Sequence, residues 1–300
     1  MILIIKGPSM KRCAHILVFV AGALALSCRS LVFEDRVDCP KYIYLDVLNG
    51  SRFDAAEKVS VGVAWSRSGV VSDTYSTTLG DIRGHRFYVS GRRGEAVAVC
   101  GAVGFGQGEP VQGSCWTVGE GREFPQLFRF AGSVNDPEEG LEVPVELIKE
   151  YCEVTVRFSG YKEKDMRGGL SPFTVSVGGN SCGVDALTGI PVLGNYVFRP
   201  GESEAGVFRF RVPRQLDEWL SMTVGLKEGV TGYGAVAREI SLWNQFRLLG
   251  NITWDEKNLP DVVLHIDVNG PTYRIGIVSW DEADIVDMDY GKGLEQDVGL

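Results

Sequence analysis

Apolar residues at every second position, repeated along most of the chain, restrict this protein to sheet structure before any other feature is weighed. Val59, Val61, Val63 and Trp65 alternate with Ser60, Gly62 and Ala64. The pattern returns at Val97, Val99 and Val103, then at Cys152, Val154, Val156 and Phe158, and again at Phe173, Val175 and Val177. Val207–Val212 repeats it with Arg209 and Arg211 on the outer face, and Val262, Leu264, Ile266 and Val268 close the series. A period of two places all these side chains on one face of a strand, whereas a helix would scatter them around its axis. Clusters of Gly, Asn, Asp and Ser separate the runs, as in antiparallel sandwiches with one wet face. The 38 glycines and the many Val, Phe and Tyr agree with strands and turns. Only Gln215–Leu220 and Leu242–Leu248 have a helical look. The expected fold class is all-β, as two tandem antiparallel β-sandwiches.

The polar stretch Gly132-Ser-Val-Asn-Asp-Pro-Glu-Glu-Gly140 falls midway along the mature chain and has linker composition. A new strand pair is expected from Val143. The organisation predicted is a signal peptide over 1–27, a spacer over 28–40, sandwiches over 41–138 and 139–282, and an acidic tail over 283–300.

The N-terminus sets the compartment. Lys11-Arg12 precedes the apolar run Ile16–Leu26, which is followed by Ser27 and Cys28. The order basic, apolar, small, cysteine is that of an export leader with lipid attached at Cys28. The run is too short to span a bilayer as a helix. The alternative is an ordinary secretory leader cut after Ser27, which leaves Cys28 a plain thiol. Met10 is a second candidate start. Residues 1–27 hold three basic residues and no acidic ones, so of 30 Lys+Arg and 39 Asp+Glu the mature chain keeps 27 and 39, a net charge of −12. Such an exterior repels nucleic acid and anionic lipid headgroups.

Beyond Cys13 and Cys28 lie Cys39, Cys100, Cys115, Cys152 and Cys182, an odd number for an exported chain. Cys100 and Cys115 flank the Gly-rich stretch Gly101–Gly108. A staple between them would stabilise by about 3 kcal/mol in the chain-entropy model. Two buried free thiols are the equal alternative. No pair has the C-x-x-C spacing of a zinc or redox site.

The residues offer little chemistry. His85 and His265 stand apart from any second nitrogen or sulfur ligand, so no metal site is expected. Gly104-Phe-Gly-Gln-Gly108 lacks the following helix and the lysine of a phosphate loop and reads as a hairpin turn. Asp287-Met-Asp-Tyr-Gly291 lacks the distal glutamate of a calcium loop. No cofactor, small-molecule substrate or enzymatic activity is expected. Trp65, Trp116, Trp219, Trp243, Trp254 and Trp280 are mostly at packing positions, with one or two free for a sugar-stacking role. In the tail, Ile285, Val286, Met288 and Tyr290 lie among Asp284, Asp287 and Asp289. They form the segment best suited to exchange as a strand with another subunit, the alternative being a solvated tail.

Glu34-Asp-Arg-Val-Asp-Cys39-Pro40 after the anchor cysteine, followed by the strand Tyr42–Val47, resembles the FimB-type family of fimbrillin-associated anchor lipoproteins. Gly84–Val89 with Glu95–Val99, Val145–Val156, Leu259–Asp267 and Tyr273–Trp280 are similar to further strands of that family. The resemblance implies two transthyretin-like sandwiches and an outer-membrane lipid anchor with a surface-exposed position. It also implies attachment of a fimbrial polymer, often with control of its length, and fimbrial subunits as partners. Two rivals remain at this point. One is a polymerising stalk or tip fimbrillin, for which Arg36 and Arg52 are candidate trimming sites. The other is a glycan-binding surface lipoprotein.

Overall fold

Each alternating segment is a strand in the computed structural model, which describes residues 41–65, 71–89, 96–104, 114–135, 140–250, 252–269 and 272–278. The chain is an all-β sandwich protein. In the first half, β1 (Lys41–Val47) is the centre of a three-stranded sheet. It has β4 (Phe87–Val89) antiparallel on one side and β8 (Leu141–Val145) parallel on the other. The facing sheet runs β3 (Val71–Thr78), β2 (Lys58–Trp65), β5 (Ala96–Val103), β7 (Phe128–Asn135) and β9 (Ile148–Lys149), each antiparallel to its neighbour. Ile43, Leu45 and Val47 share one core with Val59, Val61 and Val63, as the alternation requires. Each such side chain stabilises by about 1.5–3 kcal/mol on burial.

The second half repeats this plan. β10 (Tyr151–Ser159) is flanked by β14 (Val207–Pro213) antiparallel and β17 (Asp261–Asp267) parallel. β13 (Glu202–Glu204) lies outside β14, and β18 (Thr272–Val278) lies antiparallel outside β17. The facing sheet runs β12 (Pro191–Phe198), β11 (Phe173–Asp185), β15 (Ser221–Leu226) and β16 (Glu239–Ser241). Phe158 of β10 stacks on Phe173 of β11 with ring centroids 4.5 Å apart, joining the two layers. Taken in chain order, β1, β2, β3, β4, β5, β7 and β8 pair among themselves as β10, β11, β12, β14, β15, β16 and β17 do. The fold is a duplication, with β18 added at the end of the second copy.

The described residues form one compact unit, and strands tie its halves together. β6 (Cys115–Thr117), from the first half of the sequence, pairs with the end of β11. That pairing needs Gly183, where a Cβ would sit 2.0 Å from the carbonyl oxygen of Trp116. Of the expected linker, Gly132–Asn135 end β7 and residues 136–139 lie outside the described residues. The strand after it, β8, hydrogen-bonds to β1, so the change from one sheet pair to the other falls between Lys149 and Tyr151.

Leu242–Gly250 is the helix expected there, α1. Gln215–Leu220 is not a helix. The Gln215 amide oxygen accepts the N–H groups of Asn180 and Ser181, its amide nitrogen donates to Pro213, and Asp217 accepts the N–H of Trp219. The Gln215–Pro213 and Asp217–Trp219 bonds are local and compete with helix, while those from Asn180 and Ser181 fasten Gln215 to β11.

Candidate functional site: open sheet edges and a tyrosine face

Of the residues that the sequence singles out, Cys28 and the segment holding Ile285, Val286, Met288 and Tyr290 lie outside the described residues. Cys100 and Cys115 are described, and both are free thiols. They belong to different sheets, Cys100 on β5 and Cys115 on β6 against β11, so they are not two arms of one hairpin. Burial pushes the Cys100 thiol up to about 12, with Asp185 adding to the effect, so it is a poor nucleophile. Burial likewise raises Cys115, Cys152 and Cys182.

One motif escaped the sequence reading. Gly179-Asn-Ser181-Cys-Gly183 has the G-x-S-x-G spacing of a hydrolase nucleophile. Such a serine must stand exposed on a strand-to-helix turn. Ser181 instead lies within β11, wholly buried, with its hydroxyl donating to the Gly183 carbonyl at 3.2 Å. The spacing here marks two bulges in the β11–β12 pairing. Among the described residues no group of three His, Cys, Asp or Glu side chains is placed to hold a metal ion.

The features open to a partner are edges and faces. In the three-stranded sheet, the outer edge of β4 is partly closed, because the Tyr75 hydroxyl of β3 donates to the Tyr88 carbonyl at 3.2 Å. On the other side, no strand among the described residues lies beyond β8. The solvent face of this sheet carries Tyr42, Tyr44 and Asp46 from β1, Arg86 and Tyr88 from β4 and its approach, and Glu142 and Pro144 from β8. Tyr42 meets Tyr44 and Tyr88 edge-on, at centroid distances of 5.5 and 6.4 Å, and the Arg86 guanidinium sits 4.9 Å from the Tyr42 ring centre. Tyrosine and arginine clusters of this kind are common at protein interfaces, since they offer rigid apolar area with polar tips. In the second half, Leu193 of β12 and Trp219 in the β14–β15 connection are each 75% exposed, whereas Trp116, Trp243 and Trp254 are buried.

An open cavity of about 530 Å³ on the second half is lined by Thr174, Ser176 and Thr223 with Arg199, Glu202 and Lys227. Burial pushes the Glu202 carboxyl up, but hydrogen bonds from Gly206, Ser171 and Lys227 outweigh it and hold the group below the ordinary carboxylate range. The halves meet over a buried ionic cluster. Glu150, fully buried, accepts Arg129 of β7 at 2.6 Å and Arg214 beyond β14 at 2.7 Å. Arg214 also donates to the carbonyls of Trp254, Glu256, Lys149 and Lys257. The arrangement offers surfaces for binding.

Several solved structures share this fold. The fimbrial anchor protein Mfa2 from Porphyromonas gingivalis matches with a TM-score of 0.55 at 10% identity, over 81% of this chain and 98% of that one. A candidate polysaccharide-binding protein from Bacteroides thetaiotaomicron matches with a TM-score of 0.53 at 10% identity, over 81% and 99%. A candidate adhesin from the same organism matches at 0.51 and 12% identity, over 79% and 96%. At these identities the likeness is one of fold. No protein-family model matches the chain, and no curated protein matches it by sequence.

Proposed function

We propose that this chain is a FimB-type fimbrial anchor, an exported lipoprotein tethered to the outer membrane at Cys28 that holds a fimbrial polymer to the cell surface by strand pairing. One observation carries the reading: the fold is similar, along most of both chains, to that of the fimbrial anchor of Porphyromonas gingivalis. The order Lys11-Arg12, apolar run, Ser27, Cys28 supports the tether. Open edges support the mode of attachment, because an unpaired strand offers backbone donors and acceptors for affinity while alternate side chains select the partner. The partner is a fimbrial subunit.

Cys28→Ala tests this reading. Each buried methylene of the acyl chains contributes about 0.8 kcal/mol to anchoring, so loss of both chains abolishes stable retention. The variant is expected to stay unprocessed or to leave the membrane fraction, with fimbriae shed into the medium. Retention and migration like those of the unaltered protein would end the lipoprotein reading. A mature N-terminus beyond Arg36 or Arg52 would instead make the chain a polymerising subunit. Deleting residues 282–300 assigns the part played by Ile285, Val286, Met288 and Tyr290. Normal fimbriae on cells making the truncated, folded protein would remove that segment from the mechanism.

A further inference from the structure

In the second half, β12 leaves β11 before β11 ends. Their pairing stops at Val177 opposite Phe198, and the chain then passes through Arg199 and Pro200 to β13, which pairs with β14 in the other sheet. Continuing that register by two residues would set Pro200 opposite Val175, and a proline has no N–H to give. Phe173–Ser176 therefore line the cavity of about 530 Å³ with no strand beside them among the described residues. Ligand sites span about 300–1,000 Å³, so the volume suits a small molecule or one unit of a polymer. We infer that this cavity binds an acidic sugar residue of a glycan, with Arg199 taking its carboxylate and polar groups of β11 and β15 taking its hydroxyls. A glycan ligand goes beyond the anchoring function and does not depend on it.

The polar groups in the cavity match such a ligand. The Val224 N–H donates to the Arg238 carbonyl, away from β11, and the Lys227 N–H donates to the Pro172 carbonyl. In the alternation of an antiparallel pair, Thr174 and Ser176 thus spend their backbone groups on β15, and Val175 turns its N–H and C=O into the opening. The Thr174, Ser176 and Thr223 side chains share the solvent face here, Ser176 directly across from Thr223. Their hydroxyls have no hydrogen-bond partner among the described residues, and each can donate and accept, as a sugar hydroxyl can. Gly225, opposite Thr174, leaves the wall low: a Cβ there would lie 2.6 Å from the Thr174 hydroxyl. Leu170 and Pro200 supply apolar margin for the C–H face of a ring. The charge at the rim is set by pairing. Glu202 accepts Ser171 N–H at 2.8 Å, Gly206 N–H at 2.6 Å and Lys227 Nζ at 2.9 Å, so its charge is compensated. Arg199 is exposed and has no ion pair among the described residues, and a guanidinium takes a carboxylate through two parallel bonds. A phosphate would use Arg199 and leave the hydroxyls idle. A peptide strand would find too little ladder, since the Phe173 N–H is already given to the Ser171 hydroxyl at 3.4 Å.

The test titrates the purified full chain, by calorimetry, with trigalacturonate, with the neutral galactose trisaccharide, with trialanine and with sodium phosphate. Trigalacturonate is expected to bind, and the other three to bind at least about tenfold more weakly. Arg199→Ala should weaken the acidic sugar about tenfold and bring it level with the neutral one. Thr223→Val keeps the side-chain shape and removes one hydroxyl, so it should weaken both sugars and leave phosphate unchanged. Both side chains lie at the surface without partners, so melting temperatures should stay within a degree or so of the unaltered protein, and Trp219→Ala should bind as that protein does. Several results would overturn the assignment: no binding of trigalacturonate, equal binding of phosphate or trialanine, or an affinity that Arg199→Ala and Thr223→Val leave intact. Loss of binding in Trp219→Ala alone would overturn it too, by moving the sugar to the exposed indole. None of these results bears on the Cys28 tether or on fimbrial attachment, so the two readings fail separately.

Discussion

Glu150→Ala is the perturbation that most directly examines how the two halves are held together. The carboxylate is fully buried and bridges Arg129 of β7, 15% exposed, and Arg214 beyond β14, 10% exposed. Removing one partner of a buried pair costs about 3–5 kcal/mol, because the remaining charge is left without compensation. Arg214 would keep its carbonyl acceptors and Arg129 can turn toward water, which places the expected loss near the lower figure, about 3 kcal/mol. For a chain of this size each kcal/mol lowers the melting temperature by about 2–4 °C, so a fall of about 6–12 °C is expected. Glu146→Ala is the matched control. Its partner Lys257 and Glu146 itself are 57% and 40% exposed, and such a pair is worth about 1 kcal/mol or less. Thermal and urea unfolding followed by circular dichroism would measure both variants. A Glu150→Ala loss no larger than that of Glu146→Ala would refute the account of the junction.

Three further outcomes follow from the same structure. Glu202 has a folded-state pKa depressed below its unfolded value, so its stabilisation is present above about pH 4.3 and is lost as pH falls through the folded value. The stability gap between the unaltered protein and Glu202→Gln should therefore be wide at neutral pH and close in acid, and a gap independent of pH would contradict the hydrogen-bond account. Gly183→Ala forces a Cβ onto the Trp116 carbonyl and should detach β6, so that Cys115 reacts faster with a maleimide; unchanged labelling would show that the backbone can yield. Cleavage within residues 136–139 should leave two fragments that co-elute under native conditions. β8 stays on β1 and β6 stays on β11 across the cut, so fragments that separate without denaturant would speak against this cross-tying.

The period-two alternation marked most of the strands in advance, because which face of a strand is buried is a local property of the side chains along it. Val59, Val61 and Val63, or Val154 and Val156, point inward whatever they pair with. The helix at Leu242 was legible for the same reason. What alternation leaves open is the identity of the neighbouring strand. Leu141–Val145 read as the opening of the second sandwich, yet it hydrogen-bonds to β1, about a hundred residues earlier, in parallel. Spacing left Cys100 and Cys115 either stapled or free, and only the fold puts them on different sheets, with β6 crossing to β11. Gly179–Gly183 matches a catalytic spacing, yet it is a bulged stretch of strand with its serine sealed inside. Trp219 sits in turns made by Gln215 and Asp217 and faces solvent, while Trp243 and Trp254 stack 5.5 Å apart in the core. Strand content and the inward faces are set locally by the sequence. Strand partners and the Glu150 bridge come only from the tertiary structure, since each depends on which distant groups the closed sheets bring within hydrogen-bonding distance.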